Sequence, residues 1–258
     1  MIFTKKNGTP FLQFPALVDQ PGLFHAVFTR HGGFSDPPFD SLNMSIGRGD
    51  DPQKIIKNRR KILECAGGGE AVFMEQVHGD EIWMLQAGKE AASWGNSVIP
   101  RADAAVTDVP GMILVVQVAD CQPIFLYDPM HQVIANVHAG WRGSIRGIVG
   151  KTVRSMSDTF GCRPESIIAC IGPSLGPCCA EFTNYMEEIP PSFWIYKNRR
   201  NFFDFWSITR DQLIDEGLSG NNVHTSGLCT RCRTDLFFSY RSRKTTGRFA
   251  SVIGLCTV

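Results

Sequence analysis

The residues with the clearest chemical potential are His78 in QVHGDE, Cys121 in ADCQP and His138 in NVHAGWRG. Imidazole and thiolate are good zinc ligands, and three protein ligands with a fourth position open form the usual catalytic zinc site. Their separations of 43 and 17 residues match no local finger motif, so spacing alone leaves other readings open. The same residues also read as a buried thiol with two hydrogen-bonded histidines. A third reading makes Cys121 a nucleophile and His138 its base.

The chain has nine cysteines, an odd number that fits packing thiols, ligands or nucleophiles better than a disulfide scaffold. Cys178-Cys179 and Cys229-x-x-Cys232 raise the idea of a four-thiolate zinc. Adjacent cysteines seldom share one tetrahedral ion, and these four are read as core or loop thiols. The deaminase signature H-x-E followed by P-C-x-x-C is absent, because HGD offers Asp80 and PCC at 177–179 breaks the spacing. Arg30 in TRHGG, Arg142 in HAGWRG, Arg241 in SYR and Arg248 in TGR stand beside glycines or polar turns. The guanidinium fork suits phosphate or carboxylate, and HAGWRG precedes a predicted helix N-terminus, which favours anions. Asp80, Asp103 and Asp120 are the nearby carboxylates. Asp103 or Asp120 is expected to move protons or support the ligands, with Asp120 and Cys121 on opposite faces of an extended strand. No Walker A, GxGxxG or GxSxG motif is present.

These residues need elements to hold them at strand ends, where a scaffold presents side chains over a site. Predicted strands cover 24–29, 71–77, 81–86, 104–107, 112–118, 123–127, 132–137, 166–172 and 249–255. Runs such as MILVVQV imply a sheet covered on both faces. Asp51-Pro52 starts a helix over 54–66, ended by AGGGE. Further helices are predicted after HAGWRG, with Ile145, Ile148, Val149, Val153 and Met156 on one face, from Glu181, and over 208–216. The expected fold is α/β (α+β): a mixed β-sheet sandwich flanked by helices, in one domain over 1–258.

With hydrophobic residues at 43% and charged at 20%, the chain is not expected to be disordered or coiled-coil. Its net charge of +1 provides no basic field for nucleic acid. The longest largely apolar stretch, Met112–Val118, is far shorter than a membrane span. No continuous apolar segment opens the sequence, so no cleaved signal is expected and a cytoplasmic location is.

FTRHGGFS, EQVHGDEI, ADAAVTDVPGMILVVQVADCQPIFLYDP, VIANVHAGWRG, CIGPSLGPCC, CTRCRTDLFFSYR and TGRFASVIGL occur in this order between Phe24 and Leu255. Together they resemble the laccase-domain (YfiH/FAMIN-like) family of purine nucleoside enzymes. The resemblance implies a fold related to the toxin-type cysteine hydrolases and a metal site at His78, Cys121 and His138. It also implies phosphorolysis of adenosine, inosine and 5′-methylthioadenosine, and hydrolytic deamination of adenosine. Arg30, Asp103, Asp120, Arg142 and Arg248 are then the catalytic set, and Asn43, Gln76 and Arg241 bind substrate. The partners are purine nucleosides and phosphate, in a monomer or homodimer. Older labels for such proteins say polyphenol oxidase or laccase, and some relatives are linked to peptidoglycan-precursor editing. Small departures from the family pattern, Met44-Ser45, Arg231, Arg233 and the Lys-Thr of RSRKTTGR, bear on substrate preference and spare the ligands. A multicopper oxidase draws on many histidines, largely in His-x-His pairs, whereas this chain has six and no such pair. One zinc is the expected cofactor, although copper would bind the same ligands.

Overall fold

The computed structural model describes residues 1–87 and 99–256. Its architecture follows from how the apolar runs alternate. In β7 (Met112–Val118), Leu114, Val116 and Val118 face one core while Ile113 and Val115 face another. β8 (Gln122–Asp128) likewise sends Phe125 and Tyr127 one way and Ile124 and Leu126 the other. A strand apolar on both sides must be covered on both sides, and two such sheets stack face to face with helices outside.

One mixed sheet has the order β1 (Ile2–Lys6), β2 (Thr9–Gln13), β3 (Leu23–Phe28), β12 (Phe249–Leu255), β7 and β4 (Glu70–Phe73). The other runs β11 (Val223–Thr225), β10 (Ile168–Ile171), β8, β9 (Val133–Ala139), β6 (Ala104–Thr107) and β5 (Ile82–Leu85). In each, the pairs at one or both ends are parallel and the rest antiparallel. The cysteine and aromatic residues Cys170, Phe125, Tyr127 and Phe249 join the aliphatic inter-sheet core. α2 (Pro52–Ala66) covers the outside of the first sheet through Ile62 and Cys65. α4 (Ile148–Phe160) and α6 (Phe205–Asp215) cover the second through Val149, Val153, Met156 and Leu213. The buried Asn136 Nδ2 on β9 crosses the inter-sheet space and donates to Leu114 O and Ser251 O, both at 2.9 Å. Two further short helices are α1 (Pro15–Val18) and α5 (Tyr185–Glu188). Among the described residues no helix is long and apolar enough to cross a membrane.

The predicted spans for β6, β7 and β12 match the observed ones. Three differences have physical reasons. The strand expected to reach Val77 stops at Phe73, and beyond it the Gln76 carboxamide takes over the pairing, accepting from Gln117 N at 2.8 Å and donating to Gln117 O at 2.9 Å. The helix after HAGWRG is two helices, α3 (Trp141–Ile145) and α4, broken where Gly147 takes φ +72°. The helix expected from Glu181 shrinks to α5, because Pro190 and Pro191 follow and Phe182, Tyr185, Phe203 and Phe205 pack into a separate aromatic core. The β1–β2 hairpin turns on Asn7-Gly8, at φ 49° and 74°, which is the backbone a two-residue hairpin needs.

Candidate metal centre and its cavity

His78, Cys121 and His138 come from three separate chain segments. His138 lies near the end of β9, Cys121 directly before β8, and His78 in the loop before β5. His78 and Asp120 are held at φ 60° and 86°, in the left-handed region that few non-glycine residues adopt. That turn at Asp120 corrects the expectation of opposite faces: the strand is broken there, and both Asp120 and Cys121 line the same cavity.

The candidate ligand atoms of the three residues all lie within 4.8 Å of one another. The two imidazoles meet edge to face, with centroids 4.9 Å apart. His138 is buried, Cys121 half-buried and His78 exposed, so the set opens towards the cavity. Gly140 is needed for this closeness, since a Cβ there would stand 2.9 Å from His78 Cδ2 and 3.3 Å from Cys121 Sγ.

Asp103, fully buried, organises the ligands. One carboxylate oxygen accepts from His138 Nδ1 at 2.7 Å and His78 N at 3.0 Å. The other accepts from Gly79 N at 2.7 Å and Val77 N at 3.2 Å. Burial opposes its charge, but the His138 bond and the amides of Gly79 and His78 hold the carboxyl below its usual range. Both oxygens are occupied, so of the two roles expected for Asp103 the geometry favours support of the ligands over proton transfer. His138 thereby presents Nε2 to the centre, the orientation a carboxylate imposes on a ligating histidine. Burial pushes the Cys121 thiol up, yet the His138 charge and hydrogen bonds from His138 and His78 outweigh it and bring it to about 6. Burial likewise lowers His138, but Cys121 and Asp103 raise it to about 9. Both ligands bind a metal ion in their deprotonated forms, so an ion held there would displace the protons they share.

The centre lies on a cavity of about 1190 Å3. Arg48, Arg142, Arg241, Lys244 and Arg248 reach its lining, with Glu75, Asp120, Glu181 and Glu188 as the carboxylates. Among the described residues, none of those five cations pairs with a carboxylate.

The sequence profile of the family described as multi-copper polyphenol oxidoreductase laccase matches residues 24–256. The chain belongs to the laccase-domain family. It is 34% identical over 243 residues to the purine nucleoside phosphorylase YfiH of Escherichia coli K12, covering 91% of this chain and 94% of that one. It is 35% identical over 260 residues to a purine nucleoside phosphorylase of Deinococcus radiodurans, covering 96% and 94%. The crystal structure of YlmD from Geobacillus stearothermophilus superposes with a TM-score of 0.85 at 32% identity, covering 99% of each chain.

This laccase-domain chain does not gather its histidines into a copper cluster. His25 accepts from Phe14 N at 2.8 Å, His31 lies against Asp235 O and His131 bonds Asp128, while His224 sits on β11. Two imidazoles and one thiolate remain at the centre, a donor set that fits a single zinc or copper ion.

The other sequence-derived site residues divide. Arg142, exposed, lays its guanidinium 4.4 Å over the Trp141 ring, and Arg248 lies half-buried 5.7 Å from the Tyr240 ring. Both line the cavity, as do Gln76, Asp120 and Arg241. Gln76 spends its amide on β7, and Asp120 accepts from Thr230 Oγ1 and Arg241 N, so both brace the wall. Two expectations are corrected. Arg30 lies in a separate cavity of about 440 Å3, paired with Asp40, bonded to Thr234 O and stacked on Phe238. Asn43 is fully buried outside the lining, where its amide oxygen accepts from Arg248 N at 2.8 Å and Ser45 N at 3.1 Å. Arg48 also reaches the lining although it was not singled out, despite standing between Gly47 and Gly49 like the other glycine-flanked arginines, and Lys244 belongs to the Lys-Thr departure of RSRKTTGR. The four thiols Cys178, Cys179, Cys229 and Cys232, expected as separate packing or loop residues, come together in one cluster.

Proposed function

We propose that this chain is a purine nucleoside phosphorylase whose His78, Cys121 and His138 hold one zinc ion, with hydrolytic deamination of adenosine as a second activity. The observation that carries the reading is a three-ligand centre on a cavity ringed by cations free of carboxylate partners. Relatives named purine nucleoside phosphorylase support the first of these activities. Adenosine, inosine and 5′-methylthioadenosine are the substrates proposed.

A zinc ion held there supplies Lewis acidity in a site with an open position. The chain's own residues do the rest. Arg142, Arg248 and Arg48 take the phosphate, whose oxygen attacks ribose C1′ as the bond to the purine nitrogen breaks and the base leaves with the electron pair. Trp141 and Phe182 offer aromatic faces for the purine, and both line the cavity. Asp103 keeps His78 and His138 aimed, and the Asp120 ties fix the wall that bears Arg241.

The test is phosphate-dependent release of adenine from adenosine, with inosine formation followed without phosphate. Both are measured on the zinc-loaded wild type and on Cys121→Ala and His138→Ala. Full activity in metal-free variants would refute the metal role. A second reading has one observation in its favour: Cys121 beside a His138 imidazole oriented by Asp103 is also the arrangement of a cysteine hydrolase. It requires activity that survives chelation and is abolished by alkylation of Cys121.

A further inference from the structure

We propose that Cys178, Cys179, Cys229 and Cys232 form a second metal site, taking one structural zinc ion as a tetrathiolate. Their sulfurs all lie within 4.8 Å of one another. The Cys232 sulfur stands 3.6 Å from both Cys178 Sγ and Cys179 Sγ. Zinc–sulfur bonds of about 2.3 Å in a tetrahedron set sulfur–sulfur edges of about 3.8 Å, so the two Cys232 edges already stand close to the spacing the ion imposes and the others lie within 4.8 Å. A disulfide would need only two of them at about 2.05 Å and would leave the convergence of the other pair without purpose.

The adjacency of Cys178 and Cys179 is no obstacle here. The chain turns tightly at 176–180, with Cys179 N and Ala180 N both donating to Gly176 O, at 2.9 and 3.0 Å. Successive side chains in such a turn need not point to opposite sides as they do in a strand. The Cys229–Cys232 pair is brought alongside by a parallel bridge between Ser174 and Cys229. Gly176 lets the two segments close, since a Cβ there would stand 2.8 Å from Trp206 Cη2 and 3.1 Å from Cys229 Cβ. Gly176 N then donates to Cys229 Sγ at 3.3 Å, a bond that favours the thiolate a metal requires. Cys179 and Cys229 are buried and Cys178 and Cys232 exposed, which gives an ion an entry path. Binding balances as one Zn2+ and four thiols giving the tetrathiolate and four protons.

The site clasps two stretches that wall the cavity. Leu175, Glu181 and Phe182 come from one, and Tyr240 and Arg241 from the other. Thr230, next to Cys229, donates to Asp120 Oδ1 at 2.6 Å, and Arg241 Nη1 donates to Glu181 O at 2.7 Å. The proposal does not depend on the nucleoside reading, because it concerns different ligands.

Metal analysis of reduced protein tests it. Zinc-loaded wild type is expected to hold two ions per chain, Cys121→Ala/His138→Ala one, and Cys178→Ser/Cys232→Ser one. Cobalt loaded into Cys121→Ala/His138→Ala should show sulfur-to-metal charge transfer and the strong visible bands of a tetrahedral tetrathiolate. If the serine variants do not fold, a mercurial added to zinc-loaded Cys121→Ala/His138→Ala decides, through the single equivalent of zinc released to an indicator dye. An absence of zinc from Cys121→Ala/His138→Ala, or release of none from it by the mercurial, would overturn the site. So would loss of two thiols on mild oxidation of a cluster that never held metal.

Discussion

Asp103→Asn removes one charge and turns one acceptor into a donor without changing shape. Asp103 accepts from His138 Nδ1 and His78 N on one oxygen and from Gly79 N and Val77 N on the other. Whichever way the amide settles, its NH2 faces two N–H donors. With the NH2 towards Gly79 and Val77, the loop holding His78 is repelled. With the NH2 towards His138, the imidazole loses the acceptor that fixes its ring. Two hydrogen bonds to a charged group, at roughly 1.5–3 kcal/mol each, give an expected destabilisation of about 3–6 kcal/mol. Losing the support of one ligating histidine weakens metal binding about 10- to 100-fold. Urea denaturation measures the first, and zinc competition against a chromophoric chelator measures the second. Both use a Cys178→Ser/Cys232→Ser background, so that only the histidine–cysteine centre is read. A zinc Kd within threefold of the parent, with an unchanged urea midpoint, would show that Asp103 does not organise the centre.

Gly140→Ala places a methyl against His78 and Cys121 and should depress zinc affinity at a stability cost of about 1–3 kcal/mol. Gly147→Ala, at φ +72° with open space around it, should cost about 1–2 kcal/mol and leave zinc binding intact. Equal zinc affinities in the two variants would discredit the steric account. Arg142→Ala should raise the phosphate KM at least about tenfold, which is 1.4 kcal/mol, with little change in melting temperature. Arg30→Ala should instead lower the melting temperature and spare KM, and steady-state kinetics beside thermal melts separate the two. Buried His25 falls from 6.5 to about 4, because burial disfavours its charge. The unfolded chain therefore binds the proton first, and stability is lost as pH falls from 6.5 towards 4. At pH 5 the loss is about 2 kcal/mol. Urea midpoints at pH 7.5 and 5.0 should differ less in His25→Gln than in wild type, and equal differences would exclude His25 as the source.

What could be read in advance depended on how local the cause was. The spans of β6, β7 and β12 follow from apolar runs bounded by turn residues, and both faces of β7 are covered as its sequence implies. His78, Cys121 and His138 could be named from their places at predicted strand ends, although only the folded chain shows that they meet. Arg30 was drawn in by its Gly-Gly neighbours, yet its partners are Asp40 and Thr234, the latter 204 residues away. The cysteine cluster closes over 54 residues between Cys178 and Cys232, and depends on a bridge between Ser174 and Cys229 that no window of sequence contains. The Asn7-Gly8 hairpin differs, since its signal was local and was passed over.

Asn136 has a meaning beyond its own burial. It precedes His138 by one full pleat of β9, about 6.8 Å along the strand, and the two point the same way. By gripping Leu114 of β7 and Ser251 of β12, Asn136 acts as a detent between the two sheets, indexing how far the tip of β9 projects past its neighbours. The placement of His138 is thus gauged from the centre of the sandwich. Loops around the rim can change length and composition, and with them the choice of substrate, while that reference point stays where it is.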